Sequence, residues 1–220
     1  MALKRVLETE YMDTESEAVD YDSMDHSQVN RVFVEDLLRI PGVAGDVLDL
    51  GTGTAQIPIE LCRSSENVRV LATDMAVNML DLARYNIEAE GFIDRIELVQ
   101  ADAKQLDFEE GFFDVVMSNS IVHHIPEPMN CLREAVRVVK PGGILFVRDL
   151  MRPDSEKMVN ELVQTYAGDE NDHQRQMFDD SLRAALSLVE IQELVGDLGF
   201  ERSTVEATSD RHWTWQAQKN

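Results

Sequence analysis

Basic residues are scarce in this chain. Twenty lysines and arginines stand against 42 aspartates and glutamates, a formal charge of −22 over 220 residues. A surface of that sign repels phosphate backbones and anionic headgroups, so nucleic acids and membrane surfaces are disfavoured as partners. Cysteine is nearly absent. Cys62 and Cys131 lie far apart, match no metal-ligand spacing and sit among apolar neighbours. They read as buried thiols of a reducing compartment, with one disulfide as the alternative. No cluster of metal-ligating residues stands out, so the expected metal content is none. No apolar run approaches the ~18 residues of a membrane span. The amino-terminal MALKRVLETEYMDTESE lacks the apolar core of a secretion signal, and a cytoplasmic protein is expected. There is no internal repeat and no low-complexity tract.

What is present is enough for one domain. Hydrophobic residues make up 44% of the chain, and its length suits a single core over residues 1–220. The stretch VLDLGTGTAQ, residues 47–56, carries the most information. Val47, Leu48 and Leu50 form a buried strand that delivers Asp49. The turn Gly51-Thr52-Gly53 follows, and then a helix. Glycine tolerates positive φ and lets a ligand approach the backbone, so the pattern reads as a nucleotide-binding turn at the head of a helix. The dinucleotide pattern GxGxxG needs a third glycine where this chain has Gln56, and the lysine of a phosphate-binding P-loop is missing.

Strands and helices alternate after that point. Strands are predicted over 46–51, 68–73, 96–101, 113–118 and 144–148. Helices are predicted over 55–63, 77–90 and 129–139, the last stopped by Lys140-Pro141-Gly142-Gly143. Short apolar runs joined by helices imply right-handed crossovers and a parallel sheet buried on both faces. Before this core, residues 1–40 form an acidic arm (Glu8 to Asp25, with Tyr11, Met12, Tyr21 and Met24). The arm is expected to become ordered near Tyr21 and to lead into a lid helix from Ser27 to Arg39. Ser27 would cap that helix, and Val29, Val32, Phe33 and Leu37 would share one face. Beyond the core at 46–150, residues 151–187 form a helical cover on the acceptor side. Its helices are predicted over 155–167 and 176–186, on either side of a polar loop at 168–173. The last unit, 188–220, holds a helix begun by the capping box Ser187-Leu188-Val189-Glu190 and a strand pair over 200–207 and 212–217. Alternation in 211–216 suggests one wetter face there, with Trp213 and Trp215 as packing residues.

In an open α/β sheet, ligands bind beyond the carboxyl ends of the strands. Those ends deliver Asp49 with Gly51, Thr52 and Gly53; Asp74 with Met75; Asp102 with Ala103; and Asn119, followed by His123 and His124. An acid ending the second strand matches a ribose diol, because two carboxylate oxygens can meet two hydroxyl donors. Asp102 is placed to meet an adenine amine, between Met75 and Ala103. Asp49 is placed to attract a cationic group. The set suits an adenosine with a positive or zwitterionic tail, not a polyphosphate.

These stretches resemble the class I S-adenosylmethionine-dependent methyltransferases, in the small-molecule branch with type 11 and quinone-methyltransferase-like members. The resemblance rests on VLDLGTGTAQIPIEL, VLATDMAVNML, IELVQADAKQLDF, FFDVVMSNSIVHHI and VVKPGGILFVRDL, in the family's order and spacing over about residues 30–150. It implies a Rossmann-like, doubly wound sheet of order 3-2-1-4-5-7-6 with strand seven antiparallel. It also implies S-adenosyl-L-methionine as cofactor, S-adenosyl-L-homocysteine as product, and a small-molecule acceptor. By the same resemblance Asp49, Gly51 and Gly53 line the methionine end, Asp74 takes the ribose, Met75, Asp102 and Ala103 surround adenine, and Asn119 lies near the cofactor's centre. Ala55 stands where the family commonly has a glycine. Tyr21 is expected over the cofactor, and His123 and His124 are the candidates for a base. A monomer or homodimer is expected. Two readings stand beside this one: an NAD-type Rossmann oxidoreductase, which the missing third glycine disfavours, and a non-catalytic scaffold on the same fold, which the intact acidic and glycine positions disfavour.

Overall fold

The structure, a computed structural model, describes residues 3–8, 14–24 and 26–220, the side chains of 15–17 excepted. Of the arm residues named above, Tyr11, Met12 and Asp25 lie outside the described residues. Seven strands form one sheet in the order β3-β2-β1-β4-β5-β7-β6. The strands are β1 (Gly45–Leu50), β2 (Val68–Asp74), β3 (Ile96–Gln100), β4 (Phe113–Asn119), β5 (Val139–Leu150), β6 (Val205–Ala207) and β7 (His212–Gln218). The first five pair in parallel. β7 runs antiparallel to both β5 and β6, as the resemblance implies.

Among the described residues, eight α-helices surround the sheet: α1 (Glu15–Ser23), α2 (Ser27–Leu38), α3 (Gln56–Ser64), α4 (Val77–Glu90), α5 (Pro128–Val138), α6 (Glu156–Tyr166), α7 (Asp172–Ala184) and α8 (Leu188–Asp197). One apolar layer joins α5 and α8 to the sheet through Leu48, Val116, Leu132, Ile191, Trp213 and Trp215. The other joins α2, α3 and α4 through Phe33, Leu37, Ile59, Ala83, Val115 and Phe146. Cys62 and Cys131 are buried and free, one in each layer. Among the described residues, no helix is long and apolar enough to cross a membrane.

Several expectations need correction. Ser27 opens α2 as a helical residue while His26 takes the cap position. Val29 and Val32 are exposed, and Val34 joins Phe33 and Leu37 in the core. β5 begins at Val139, not Ile144. The Lys140-Pro141-Gly142-Gly143 run ends α5, but it then serves as an irregularity inside β5, where the register with β4 shifts between Phe113 and Val115. α7 starts at Asp172, inside the expected loop, because Asn171 and Gln174 form a reciprocal capping box. β6 is only three residues long. Gly199 adopts φ +87°, a turn occupies Arg202–Thr204, and Phe200 packs edge-on against Trp215. The wetter face of 211–216 is interrupted: His212 is half-buried and Gln216 exposed, but Thr214 between them is buried like Trp213 and Trp215 on the opposite face, since β7 is an interior strand.

Candidate functional site

The carboxyl ends of β1, β2, β4 and β5 meet at one edge of the sheet, and β7 begins there. The turn after β1 is shaped by three positive dihedrals: Gly51 at φ +72°, Gly53 at +55° and Ala55 at +64°. The Gly51 and Thr52 N–H groups both donate to Thr73 O at 2.8 Å, which fixes the turn against β2. A Cβ at Gly51 would stand 1.9 Å from Ile121 Cγ2. Gly51→Ala is therefore expected to cost at least about 2 kcal/mol, combining left-handed strain with overpacking; equilibrium denaturation measures it. Ala55 pays the same left-handed strain, and it is fully buried at the head of α3.

Asp49 ends up 2% exposed below this turn. Burial, with the charge of Asp74 added, pushes its carboxyl up to about 7, against the opposing pull of the Thr52 hydroxyl. Asp74 sits across from it. Its Oδ2 accepts from Gly53 N at 2.8 Å and its Oδ1 from Ala76 N at 2.9 Å. Burial still leaves it above the ordinary carboxylate range despite those bonds. Tyr21 on α1 closes the third side, its ring 3.6 Å from where a Cβ on Gly53 would lie. Burial and then the charges of Asp74, Asp49 and Asp22 push its hydroxyl up to about 12. Asp22 holds α1 in place by accepting from Gln56 Nε2 at 3.2 Å and from Asn86 Nδ2 at 3.0 Å, and Gln56 also bonds Asn30. A buried acid facing a second acid and a tyrosine, with no cationic partner among the described residues, has the chemistry of a site for a cationic ligand. A nucleoside with a sulfonium and an ammonium fits that donor set.

Asp102 and Ala103 lie one strand further out. Asp102 already pairs with Lys104, through Nζ at 2.7 Å and the backbone N–H at 2.9 Å, so it also closes its own turn. Met75 is 48% exposed and free to pack on a flat ring. Asn119 closes β4 opposite Arg148.

His123 and His124 occupy the short turn after β4, and their rings stand 4.0 Å apart. They differ in surroundings. His123 is 3% exposed, and its Nδ1 meets Asp149 Oδ1 at 2.6 Å. Asp149 is itself buried and takes three backbone N–H groups, from Val122, His123 and Leu150. Burial works against charge on both partners, but each holds the other ionised: His123 titrates above its usual range and Asp149 below. His124 Nδ1 meets Glu8 Oε2 at 2.5 Å. Glu8 arrives on the segment 3–8, which is anchored by Arg5. The Arg5 guanidinium donates to Ala184 O at 2.6 Å and to His123 O and Ile125 O, both at 3.0 Å. At the start of β7, His212 bonds Ser209, and burial with Arg211 nearby holds it neutral, its pKa near 4.

The sequence thus brought Asp49, Gly51, Gly53 and Asp74 together at one turn. It missed Asp149, Glu8, Arg5, Asp22 and His212. Asp149 lay one residue beyond the expected end of β5 and could have been found by letting that strand run through the apolar-flanked VRDL.

Comparison with known proteins agrees with this geometry. A methyltransferase-domain family model matches residues 48–147. The ubiquinone/menaquinone biosynthesis C-methyltransferase UbiE of Pectobacterium carotovorum is 32% identical over 144 residues, covering 63% of this chain and 57% of that protein. The chain thus spans little more than half the length of this curated relative. Longer but weaker is the match to UbiE of Erwinia tasmaniensis: 27% identity over 86% of this chain and 81% of that one. Among solved structures, a SAM-dependent methyltransferase from Aquifex aeolicus superposes with a TM-score of 0.69 at 19% identity, over 94% of this chain and 99% of that one.

Proposed function

We propose, from a chain carrying a class I S-adenosylmethionine-dependent methyltransferase domain and fold, that it moves the methyl group of S-adenosylmethionine onto a small-molecule acceptor held over the ends of β4 and β5. The observation that carries this is the buried acid pair Asp49 and Asp74, both raised by burial, around a glycine turn under Tyr21. When bound, the cofactor supplies an electrophilic methyl on a cationic sulfur. The chain's own part is alignment and exclusion of water.

In this reading Asp49 neutralises the positive end. Asp74 keeps a free lone pair on each oxygen for the ribose hydroxyls while its present bonds hold Gly53. Met75, Ala103 and Asp102 enclose the base, and Asn119 borders the centre. Tyr21 closes the cleft as part of a lid latched by Asp22. Where the acceptor must lose a proton, His123 in its neutral form is the group oriented to take it, because Asp149 then holds the Nδ1–H and leaves Nε2 to accept. The relatives' name as C-methyltransferases favours a carbon acceptor. A cytoplasmic enzyme acting as monomer or homodimer completes the reading.

Asp74→Ala is expected to weaken S-adenosylhomocysteine binding by roughly 1.5–3 kcal/mol, the range for hydrogen bonds lost to a charged group; unchanged affinity refutes the ribose assignment. The activity itself is tested by incubating the protein with methyl-labelled S-adenosylmethionine and pooled small metabolites. The expected result is label in an organic-soluble product with matching S-adenosylhomocysteine, and no label in added protein or RNA. Release of S-adenosylhomocysteine absent from every pool contradicts it.

A further inference from the structure

Glu8, His123 and His124 come from two segments more than a hundred residues apart, yet each offers a ligand atom and all three atoms lie within 4.8 Å of one another. Two nitrogens and one carboxylate oxygen are the donor set that first-row divalent metals take, zinc and non-haem iron among them. A salt bridge between Glu8 and His124 alone needs no second imidazole, whereas here the His123 ring lies 4.0 Å from the His124 ring.

The surroundings are also those of a metal site. Ligating histidines usually donate their other ring nitrogen to a carboxylate or carbonyl. His123 does this through Nδ1 to Asp149 at 2.6 Å, and Asp149 is fixed by three backbone N–H groups. The carboxylate is oriented too: Ser181 Oγ donates to Glu8 Oε1 at 2.6 Å. Arg5 pins the segment carrying Glu8 to the carbonyls of His123, Ile125 and Ala184, so Glu8 is delivered by a built anchor. Ligation requires both imidazoles neutral, and in that state Glu8 and Asp149 bring two negative charges against the one positive charge of Arg5, a net negative pocket for a cation. His124 and Glu8 keep side-chain exposures of 22% and 15%, so the place is reachable.

We propose that Glu8, His123 and His124 form a binding site for one divalent transition-metal ion at the acceptor end of the cleft. Three protein ligands leave at least one coordination position open. An acceptor presenting an oxygen, nitrogen or sulfur donor is the class such an ion would hold there. The metal site stands on its own geometry and does not depend on the methyltransferase reading.

The test uses the full chain stripped with chelator. Zinc is titrated calorimetrically, and cobalt(II) is followed by visible absorption as a coordination probe. One equivalent of each is expected per chain, with ligand-field bands showing low coordination number and nitrogen ligation. Glu8→Gln and His124→Gln should each weaken binding at least tenfold while far-UV circular dichroism stays unchanged. No stoichiometric binding to the wild type overturns the proposal. So does binding of equal strength in both variants, which would place the ion on surface carboxylates. S-adenosylhomocysteine titrated into the same samples separates the two readings: its failure to bind beside intact metal binding would count against the methyltransferase alone.

Discussion

Asp49→Asn is expected to make the protein more stable and to cost it its cofactor. Burial, then Asp74, raise the Asp49 carboxyl from 3.8 to about 7. A group whose folded pKa is raised supports folding fully below its unfolded value, and that support is lost as pH climbs through the folded value. At pH 8 the folded chain therefore holds a buried charge that the Thr52 hydroxyl offsets only in part. The rise of about three decades corresponds to a cost on the order of 4 kcal/mol. Asparagine keeps the shape and removes the charge. At roughly 2–4 °C per kcal/mol for a chain of this size, the melting temperature should rise by several degrees at pH 8, and the gain should shrink as pH falls toward 4. The same change removes the counter-charge for a cationic ligand. Binding should weaken by about 2 kcal/mol or more, the cost of leaving a buried charge unpaired. In the wild type, affinity should decline below pH ~7 by up to tenfold per unit, because binding must then expel a proton from Asp49. The variant should lose that slope. Calorimetry at pH 6 and 8 beside thermal melts measures all three.

Asp149→Asn is expected to act in the opposite direction. Asp149 is as buried as Asp49, at 1% against 2% exposed, but its four acceptor positions are filled: His123 Nδ1 and Leu150 N on Oδ1, Val122 N and His123 N on Oδ2. An amide cannot accept on both ends. Turned one way its NH₂ faces the Val122 and His123 N–H groups, and turned the other it faces Leu150 N–H and forces the His123 ring to accept at Nδ1. Each stranded buried donor costs about 1–3 kcal/mol, so the melting temperature should fall by several degrees or more. The His123 ring also loses the partner that sets its tautomer. Turnover should drop by roughly 10²–10⁴-fold where proton removal is required, while S-adenosylhomocysteine binding stays close to wild type. A variant as stable as the wild type would show that the carboxylate does not hold the His123 turn. Two aspartates on the strands either side of β4 thus carry opposite signs: Asp49 has the Thr52 hydroxyl but no cation and is left for a ligand, whereas Asp149 is satisfied and organises the turn beyond β4.

How much of this could be read in the chain follows from how far each contact reaches. α4 was legible to the residue, Val77 to Glu90, because the pattern sits between Asp74 and a terminal glycine. The strand ends with Asp49, Asp74 and Asn119 were legible for the same local reason. The sheet order was not dictated by periodicity; it came from the ordered family motifs. Gln56 was legible only as an absence, the glycine of a dinucleotide pattern not being there. In the fold it is a latch, bonding Asn30 and Asp22 to hold α1 over the turn. The cap of α7 was written in Asn171-x-x-Gln174 but hidden inside a polar run. Arg5 and His123, 118 positions apart, share no local pattern at all, so the anchor that brings Glu8 to His124 could be seen only once the chain was folded.

The central claim is that the acid pair and glycine turn bind S-adenosylmethionine. Side-by-side calorimetric titration of the wild type and Asp74→Ala with S-adenosylmethionine, S-adenosylhomocysteine and NAD tests it most directly. The account predicts one site per chain for the two sulfur nucleotides, weakened in Asp74→Ala, and no heat from NAD. Binding of NAD alone, or sulfur-nucleotide binding indifferent to Asp74→Ala, would contradict it.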